Sequence, residues 1–151
     1  MSHFIGREQE LALLDDISRK KSASLVVIKG RRRIGKSRLI EEFAKNSTFY
    51  SFTGLPPTKQ TTIQSQHDAF AKQIAKAFDE IPPATQDWWD LLWWLAEKTK
   101  KGKVIILLDE ISWMGSKDPD FLGKLKTVWD TYFKKNPHLM LVLCGSVSSW
   151  I

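Results

Sequence analysis

The chain has 151 residues, of which 42% are hydrophobic and 26% are charged, and this is ordinary composition for one globular domain. It excludes a disordered tail, a fibrous repeat and a disulfide scaffold, since Cys144 is the only cysteine. No apolar run approaches the ~20 residues that cross a bilayer, and the first residues contain no apolar signal region. We therefore expect one cytoplasmic domain over residues 1–151, with no membrane partner.

The formal net charge of +6 raises the question of nucleic acid binding. Three basic clusters, at 19–21, 98–103 and 134–135, each end a segment that we predict to be helical. Cations at a helix C-terminus offset its negative end, which favours solvated helix ends as the interpretation. The fourth cluster, from Lys29 to Arg38, needs a different explanation.

In the first third of the chain, helical and strand patterns alternate. A helix is predicted over 8–20, followed by a continuous apolar strand at 24–28. A helix over 36–45 then leads to a polar and aromatic segment at 48–53, which is typical of an edge strand.

In the rest of the chain two helices come first, over 62–78 and 87–100, the second capped by Asp87. An apolar strand at 104–108 follows. Asp118 and Pro119 are then expected to open a helix that runs to about Lys134, before a last strand at 139–144. Strands that alternate with helices predict a three-layer α/β fold with a mainly parallel sheet, and continuous apolar strands indicate burial on both faces.

Four of the seven tryptophans lie within residues 88–94. At helical spacing Trp89, Leu92, Trp93 and Ala96 share one face, which we predict to cover the sheet, while Trp88, Leu91 and Leu95 lie on a neighbouring face. This apolar arc is too wide for one contact, so both core packing and an exposed partner surface are open interpretations.

Residues 30–37, GRRRIGKS, follow the first strand and match the phosphate-binding pattern G-x-x-x-x-G-K-[ST]. Glycine permits a close backbone approach, so that successive N–H groups converge on phosphate oxygens at a positive helix start. Lys36 would bring its charge to the β- and γ-phosphates, and the Ser37 hydroxyl would bind Mg²⁺. The residues predicted to bind the nucleotide here are Gly30, Arg33, Ile34, Gly35, Lys36, Ser37 and Arg38. The structural alternative is a glycine-rich turn that only starts a helix.

The arginines of this loop, Arg31, Arg32 and Arg33, have two interpretations. Either one or two of them face the phosphates or a docked partner, or all three are solvated.

The second motif is acidic and lies at the end of the strand at 104–108, in the sequence VIILLDE of residues 104–110. This is the Walker B arrangement, in which Asp109 would hold Mg²⁺ and Glu110 would polarise the water that attacks the γ-phosphate. Acids that merely cap the next helix are the alternative.

The last strand ends in Cys144, Gly145 and Ser146. In a parallel sheet, ligands lie outside the carboxyl ends of the strands, so Ser146 is either a sensor of the γ-phosphate or part of a plain turn. Lys36, Glu110 and Ser146 are therefore the predicted catalytic residues.

Four segments carry a family resemblance: FIGREQEL, which begins at Phe4, GRRRIGKS, LLDE and LVLCGS. Through them the sequence resembles the prokaryotic, archaeal-type ATPase family. That family belongs to the AAA+/STAND group of P-loop NTPases, and the resemblance runs from Phe4 to the last residue. It implies the strand order 5-1-4-3-2, contact of Phe4 and Ile5 with adenine, and ATP with Mg²⁺ as cofactors.

Members of the family continue into a fifth strand, a helical lid and a C-terminal domain, whereas this sequence ends at Trp150 and Ile151. We expect the N-terminal part of a longer protein, or a truncated piece. Such a chain would bind nucleotide weakly, hydrolyse it slowly if at all, and self-associate through an open sheet edge or the tryptophan surface.

Three functions are open at this point. The first is an ATP-binding and hydrolysing module whose nucleotide state governs contact with a protein partner or effector domain. The second is a nucleic-acid-associated ATPase whose basic surface binds DNA. The third is a small-molecule kinase, which is disfavoured because Glu110 directly follows Asp109 and this arrangement suits water activation. ATP is favoured over GTP by the resemblance and by the absence of an N/T-K-x-D motif.

Overall fold

The computed structural model describes residues 8–29, 36–81 and 87–145. Its elements in chain order are α1 (Glu8–Ser18), β1 (Ser24–Lys29), α2 (Lys36–Ala44), β2 (Thr48–Thr53), α3 (Ile63–Phe78), α4 (Trp88–Lys98), β3 (Val104–Asp109), α5 (Ile111–Met114), α6 (Phe121–Thr131), a 3-10 turn (Phe133–Lys135) and β4 (Leu139–Gly145). Over these three ranges, none of the helices is both long and apolar enough to span a membrane.

The four described strands form one parallel sheet in the order β1-β4-β3-β2. The order expected for these strands is therefore confirmed, and so is the edge position of β2. Ile28 pairs with Cys144, and Leu108 pairs with Leu143. The carboxyl ends of β1, β4 and β3 consequently lie side by side.

Helices cover both faces of the sheet, which confirms the three-layer α/β architecture. On one face Ile105 and Leu107 of β3 pack with Leu39 and Ile40 of α2, and α1 adds to the same core. On the other face the alternate residues of β3 pack among α3, α4 and α6. Fully burying a leucine or isoleucine stabilises the fold by about 1.5–3 kcal/mol, so these two cores hold the helices against the sheet.

The buried face of α4 differs from the predicted one. Its buried residues are Trp88, Leu91, Leu92, Leu95 and Ala96. Trp88 is fully buried, with its ring 5.2 Å from Phe70 and 4.7 Å from Phe121. Trp93 is 40% exposed and stacks on Trp89. The predicted face is thus correct for Leu92 and Ala96, which are buried, and wrong for Trp93, because α4 packs between α3 and α6 mainly through the face that contains Trp88.

The start of α6 also differs from the prediction, since the helix begins at Phe121 rather than at Pro119. The Asp118 carboxylate accepts the backbone N–H of Asp120 at 2.8 Å and lies 3.4 Å from Lys124 Nζ. Because this buried carboxylate pairs with Lys124, it holds a turn ahead of the helix rather than capping it. By contrast, the cap predicted at Asp87 is confirmed, since its side chain accepts the N–H of Trp89.

Strand β1 is less buried than its apolar sequence predicts. Leu25 is 39% exposed and Val27 is 43% exposed. A groove with an empty volume of about 570 Å³ lies beside them, and Trp129 and Leu143 line its other side. The prediction of burial on both faces therefore holds for β3 and β4 but is wrong for β1.

Candidate functional site

The carboxyl edge of the sheet brings together the ends of three strands that carry predicted site residues. Lys29 at the end of β1 lies beside Gly145 at the end of β4. Leu108 of β3 pairs with Leu143, so Asp109 comes at the same level. Ligands of open parallel sheets bind outside this edge, which makes it the place to look for a site.

Helix α2 presents its N-terminus to this edge. It begins at Lys36, after β1 ends at Lys29, and it returns along the sheet with Leu39 and Ile40 buried against the strands. The first N–H groups of a helix have no partner within the helix and carry a partial positive charge. This end of α2 is consequently suited to an anion such as phosphate.

Several predicted site residues lie outside the part of the chain that the structure describes. They are Phe4, Ile5, Gly30, Arg33, Ile34, Gly35 and Ser146. Lys36 and Ser37 are the first two residues of α2, and Arg38 follows them at an exposed position. The structure therefore locates the end of the predicted phosphate loop at the carboxyl edge.

Asp109 is the last residue of β3 and is half-buried. Its Oδ1 accepts the backbone N–H of Glu110 at 2.9 Å, and its carbonyl oxygen accepts the N–H of Gly54 at 3.2 Å. These two hydrogen bonds fix both the carboxylate and the backbone at the strand end. A carboxylate oxygen is a ligand that Mg²⁺ prefers, so Asp109 has the chemistry that its predicted role requires.

Glu110 follows in the left-handed backbone conformation, with φ 50° and ψ 50°. A residue with a Cβ adopts this region at a cost of about 1–2 kcal/mol. The turn is held by the Glu110 carbonyl oxygen, which accepts the N–H groups of Trp113 at 2.9 Å and Met114 at 3.3 Å. Such strained residues cluster at functional sites, where the surrounding structure compensates for the strain.

Gly54 supports this turn, and our sequence analysis did not identify it. A Cβ placed on Gly54 would lie 2.6 Å from Met114 N and 3.0 Å from the Glu110 carbonyl oxygen. Only a glycine lets the loop after β2 approach the turn so closely. A glycine directly after a predicted strand is the signal that could have identified it.

The donor set described at this edge fits a cation that is held partly by its ligand. Among residues 8–29, 36–81 and 87–145, no three His, Cys, Asp or Glu side chains lie close enough to hold a metal by themselves. Mg²⁺ is commonly held by one or two carboxylates together with substrate phosphates and water. A single carboxylate beside a helix N-terminus therefore fits Mg²⁺ that arrives with a phosphate ligand.

Comparison with known proteins identifies the family. The model of an ATPase domain found predominantly in Archaea matches residues 4–151. The chain belongs to this ATPase family. The ATPase domain is 26% identical over 145 residues to protein MJECL04 of Methanocaldococcus jannaschii, covering 96% of this chain and 30% of the relative. The ATP-binding protein MJ0423 of the same organism is 40% identical over 43 residues, which are 28% of this chain and 73% of that protein.

Solved structures share the fold of the ATPase domain. Cdc6p from Pyrobaculum aerophilum superposes with a TM-score of 0.61 at 17% identity, over 93% of this chain and 39% of that one. The Aeropyrum pernix ORC2 protein, solved with ADPNP and ADP, gives a TM-score of 0.54 at 16% identity, over 93% and 41%. The fold is therefore that of the AAA+ P-loop ATPases, and the family assignment makes this a nucleotide-binding ATPase domain.

Three of these matches cover more than 90% of the ATPase domain, but the domain covers less than half of the length of each of those proteins. It covers 30% of MJECL04, and 39% and 41% of the two solved chains. The activities of those longer proteins can therefore only be proposed for this chain.

Proposed function

We propose that this domain binds ATP together with Mg²⁺ and hydrolyses it, and that the bound nucleotide governs contact with a protein partner or effector domain. One observation supports this most strongly: the N-terminus of α2 and the Asp109–Glu110 pair lie at the same edge of the sheet, in a member of an ATPase family.

The phosphates would be bound by the loop of residues 30–37 and the first turn of α2. Backbone N–H groups of the loop and the Lys36 ammonium hold the β- and γ-phosphates, and Arg33 and Arg38 add positive charge. The Ser37 hydroxyl and Asp109 would hold Mg²⁺, which when bound neutralises phosphate charge.

Glu110 is the proposed general base of the hydrolysis. It accepts a proton from the water whose oxygen attacks the γ-phosphorus, and the bond to the β,γ-bridging oxygen breaks, which releases ADP and phosphate. Its fixed backbone turn places it one residue beyond the proposed Mg²⁺ ligand. Ser146 is proposed to sense the γ-phosphate, and Phe4 and Ile5 to contact the adenine.

The test is calorimetric titration of the chain with ATP, with and without Mg²⁺, in the parent and in Lys36→Ala. Losing the ammonium leaves phosphate charge uncompensated, so we expect the affinity to fall by a few kcal/mol. The matched control is Lys45→Ala, which removes the same charge just beyond the far end of α2. Equal ATP affinity of Lys36→Ala and the parent would contradict the assignment of the loop.

The switch role needs a separate test, because a simple ATPase need not change shape. Hydrogen exchange of backbone amides is measured in the Glu110→Gln variant, in which hydrolysis is slow. Exchange in the presence of saturating ADP is compared with exchange in the presence of saturating ATP. A switch predicts different protection outside the phosphate loop, since a ligand shifts a conformation only through its differential affinity for two states. Identical protection with both nucleotides would show that the domain is an ATPase without a switch.

A further inference from the structure

A basic segment precedes each of the four described strands. These segments are residues 19–21 before β1, Lys45 before β2, residues 100–103 before β3 and residues 134–135 before β4. Because the strands are parallel and in register, the segments all lie along the amino edge of the sheet, at the opposite end from Asp109. We call the cations of these four segments the basic edge.

Acidic neighbours neutralise about half of the basic edge. Arg19 pairs with Asp15, Lys45 with Glu42, Lys100 with Glu97 and Lys134 with Asp130. Five exposed lysines have no carboxylate partner within the described residues: Lys20, Lys21, Lys101, Lys103 and Lys135. Like charges that are left uncompensated on one surface raise its potential and attract polyanions.

A buried asparagine holds two of the basic segments together. Asn136 is 3% exposed, and its Nδ2 donates to the carbonyl oxygens of Thr99 at 2.9 Å and Gly102 at 3.0 Å. Its Oδ1 accepts the backbone N–H of His138 at 3.0 Å. The turn before β3 is thus joined to the turn before β4, which holds the backbone of these two basic segments together. A preorganised surface loses less conformational entropy when it binds a ligand.

A notch lies at the middle of the basic edge, where β1, β4 and β3 begin. Its polar lining includes Ser22, Ser24, Lys103 and His138, and its cavity volume of about 20 Å³ has room for about one water molecule. Hydroxyl groups, an ammonium group and an imidazole all donate hydrogen bonds to phosphate oxygens. These donors therefore suit the oxygens of a phosphate group that lies over the notch rather than inside it.

We propose that the basic edge binds the phosphate backbone of a nucleic acid and that the donors around the notch contact one of its phosphates. Four strands at about 4.8 Å spacing make the edge ~14 Å long, which is the axial length of about four nucleotides at ~3.4 Å each. The five uncompensated lysines precede β1, β4 and β3, which span ~10 Å of this length, so about four phosphates lie within reach of their side chains.

A half-exposed tyrosine favours nucleic acid over an acidic protein segment. Tyr132 is 50% exposed, two residues before the basic segment that precedes β4, and Lys135 Nζ lies 5.6 Å from the centre of its ring. Trp93 lies edge-on to Tyr132 at 6.2 Å and is also exposed. An aromatic ring beside a phosphate-binding cation gives an unpaired base a surface on which to stack. An acidic peptide would use the lysines but not this ring.

The experiment is anisotropy of a short labelled single strand titrated with the full chain, between about 50 and 200 mM salt. With about four phosphate contacts, the logarithm of the association constant should fall with the logarithm of salt at a slope near −3. The double variant Lys101→Gln, Lys103→Gln should bind about tenfold or more weakly, and its slope should be smaller by about 1.4.

The matched control is Lys59→Gln, Lys72→Gln, which removes the same charge from exposed positions outside the edge. The proposal expects less than a twofold loss in this control and normal thermal unfolding in both variants. Equal losses in the two double variants would show a general charge effect and overturn the proposal. So would the absence of binding at low salt, or equally tight binding of polyglutamate with the same dependence on Lys101 and Lys103.

This surface is independent of the proposed ATP site, so the two proposals fail separately. The edge variants should keep the parental ATP affinity in calorimetry, and Lys36→Ala should keep the parental affinity for the single strand. Replacing Tyr132 with alanine tests the stacking step alone. It should weaken binding of the single strand severalfold and leave duplex binding unchanged, and an equal loss for both would overturn the role of the ring.

Discussion

Glu110 combines a proposed chemical role with an unfavourable backbone conformation. Its φ of 50° would suit glycine or asparagine better than glutamate, so local propensity disfavours the residue that occupies the turn. The hydrogen bonds from Trp113 and Met114 to its carbonyl oxygen compensate for part of that cost. Active sites are expected to contain residues that lower the stability of the fold but supply a group needed for the reaction.

Two substitutions of Glu110 separate these properties. Glu110→Gln keeps the strained turn and removes the base, so we expect Mg-ATP binding to persist while turnover slows at least about a hundredfold. Glu110→Gly should also lose turnover, but it should stabilise the fold by up to about 1 kcal/mol because glycine adopts this conformation without strain. Phosphate release and chemical denaturation measure the two effects. Parental turnover in Glu110→Gln would contradict the role of Glu110 as the base.

His67 is a second residue in an unusual environment, away from the site. It is 5% exposed, and neither ring nitrogen has a hydrogen-bond partner within the described residues. Its ring meets Trp88 edge-on at 5.1 Å. Burial lowers the pKa of His67 below its ordinary value of 6.5, although Asp87 and Asp118 act to raise it and Lys124 lowers it further.

The lowered pKa of His67 predicts a loss of stability in mild acid. The unfolded chain takes up a proton on this residue near pH 6.5, while the folded chain resists protonation until lower pH. The free energy of unfolding is therefore highest above pH 6.5, where His67 is neutral in both states. It falls as the pH drops toward the pKa of His67 in the folded chain. Urea denaturation from about pH 7.5 to 5.5 should show this fall in the parent.

Two variants test whether His67 is the cause. In His67→Phe the free energy of unfolding should fall less between neutral and mildly acid pH, because phenylalanine does not titrate. In His138→Gln, which removes an exposed histidine, the fall should persist. An unchanged pH dependence in His67→Phe would assign the effect to other groups.

At the scale of elements, the loop after β2 and the turn after β3 depend on each other through Gly54. In Gly54→Ala the new methyl group meets backbone atoms of Met114 and Glu110, which cannot move aside as a flexible side chain can. We expect turnover to fall more than nucleotide affinity, since Glu110 shifts while the loop at α2 is untouched. The control Gly123→Ala places a methyl group in open space on α6 and should stabilise the chain by about 0.5–1 kcal/mol. Parental turnover in Gly54→Ala would show that the turn tolerates displacement.

Local patterns predicted which elements form better than they predicted how those elements pack. The cap at Asp87 was predictable because it depends on a hydrogen bond to the nearby Trp89. The start of α6 was not, because Asp118 pairs with Lys124 instead of capping the helix. The exposure of Trp93 was not predictable for a similar reason: α4 has two neighbouring apolar faces, and its packing against α3 and α6 buries part of each.

At the scale of the whole molecule, the layers and the order of the four described strands were predictable, the order through the family resemblance. The exposure of Leu25 and Val27 was not, because an apolar strand looks the same whether or not its neighbours cover it. The position of Asp109 at the carboxyl edge followed from the parallel sheet. The basic edge was not predictable from separate helix ends, since only the sheet brings them together.

The exposed part of β1 also bears on self-association. Among the described strands β1 pairs only with β4, and the groove beside Leu25 and Val27 is apolar. We expect a second copy of the chain to cover this surface, so light scattering should show a mass that rises with concentration. Val27→Lys should shift the chain toward monomer, whereas Ile81→Lys, at a position that is 92% exposed beyond the end of α3, should have little effect. A monomer at all concentrations in the parent would contradict this expectation.

The pairing of β1 with β4 has a consequence for how the chain is made. Ser24 pairs with Met140, so the partner of β1 is synthesised about 116 residues later. At roughly 5–20 residues per second, a nascent β1 waits on the order of 6–20 s for that partner. During this interval its apolar residues have no sheet to join, and they are a natural target for chaperones that capture extended hydrophobic segments. Slower translation of the segment between β3 and β4 should therefore increase ribosome-associated chaperone binding and lower the yield of folded protein.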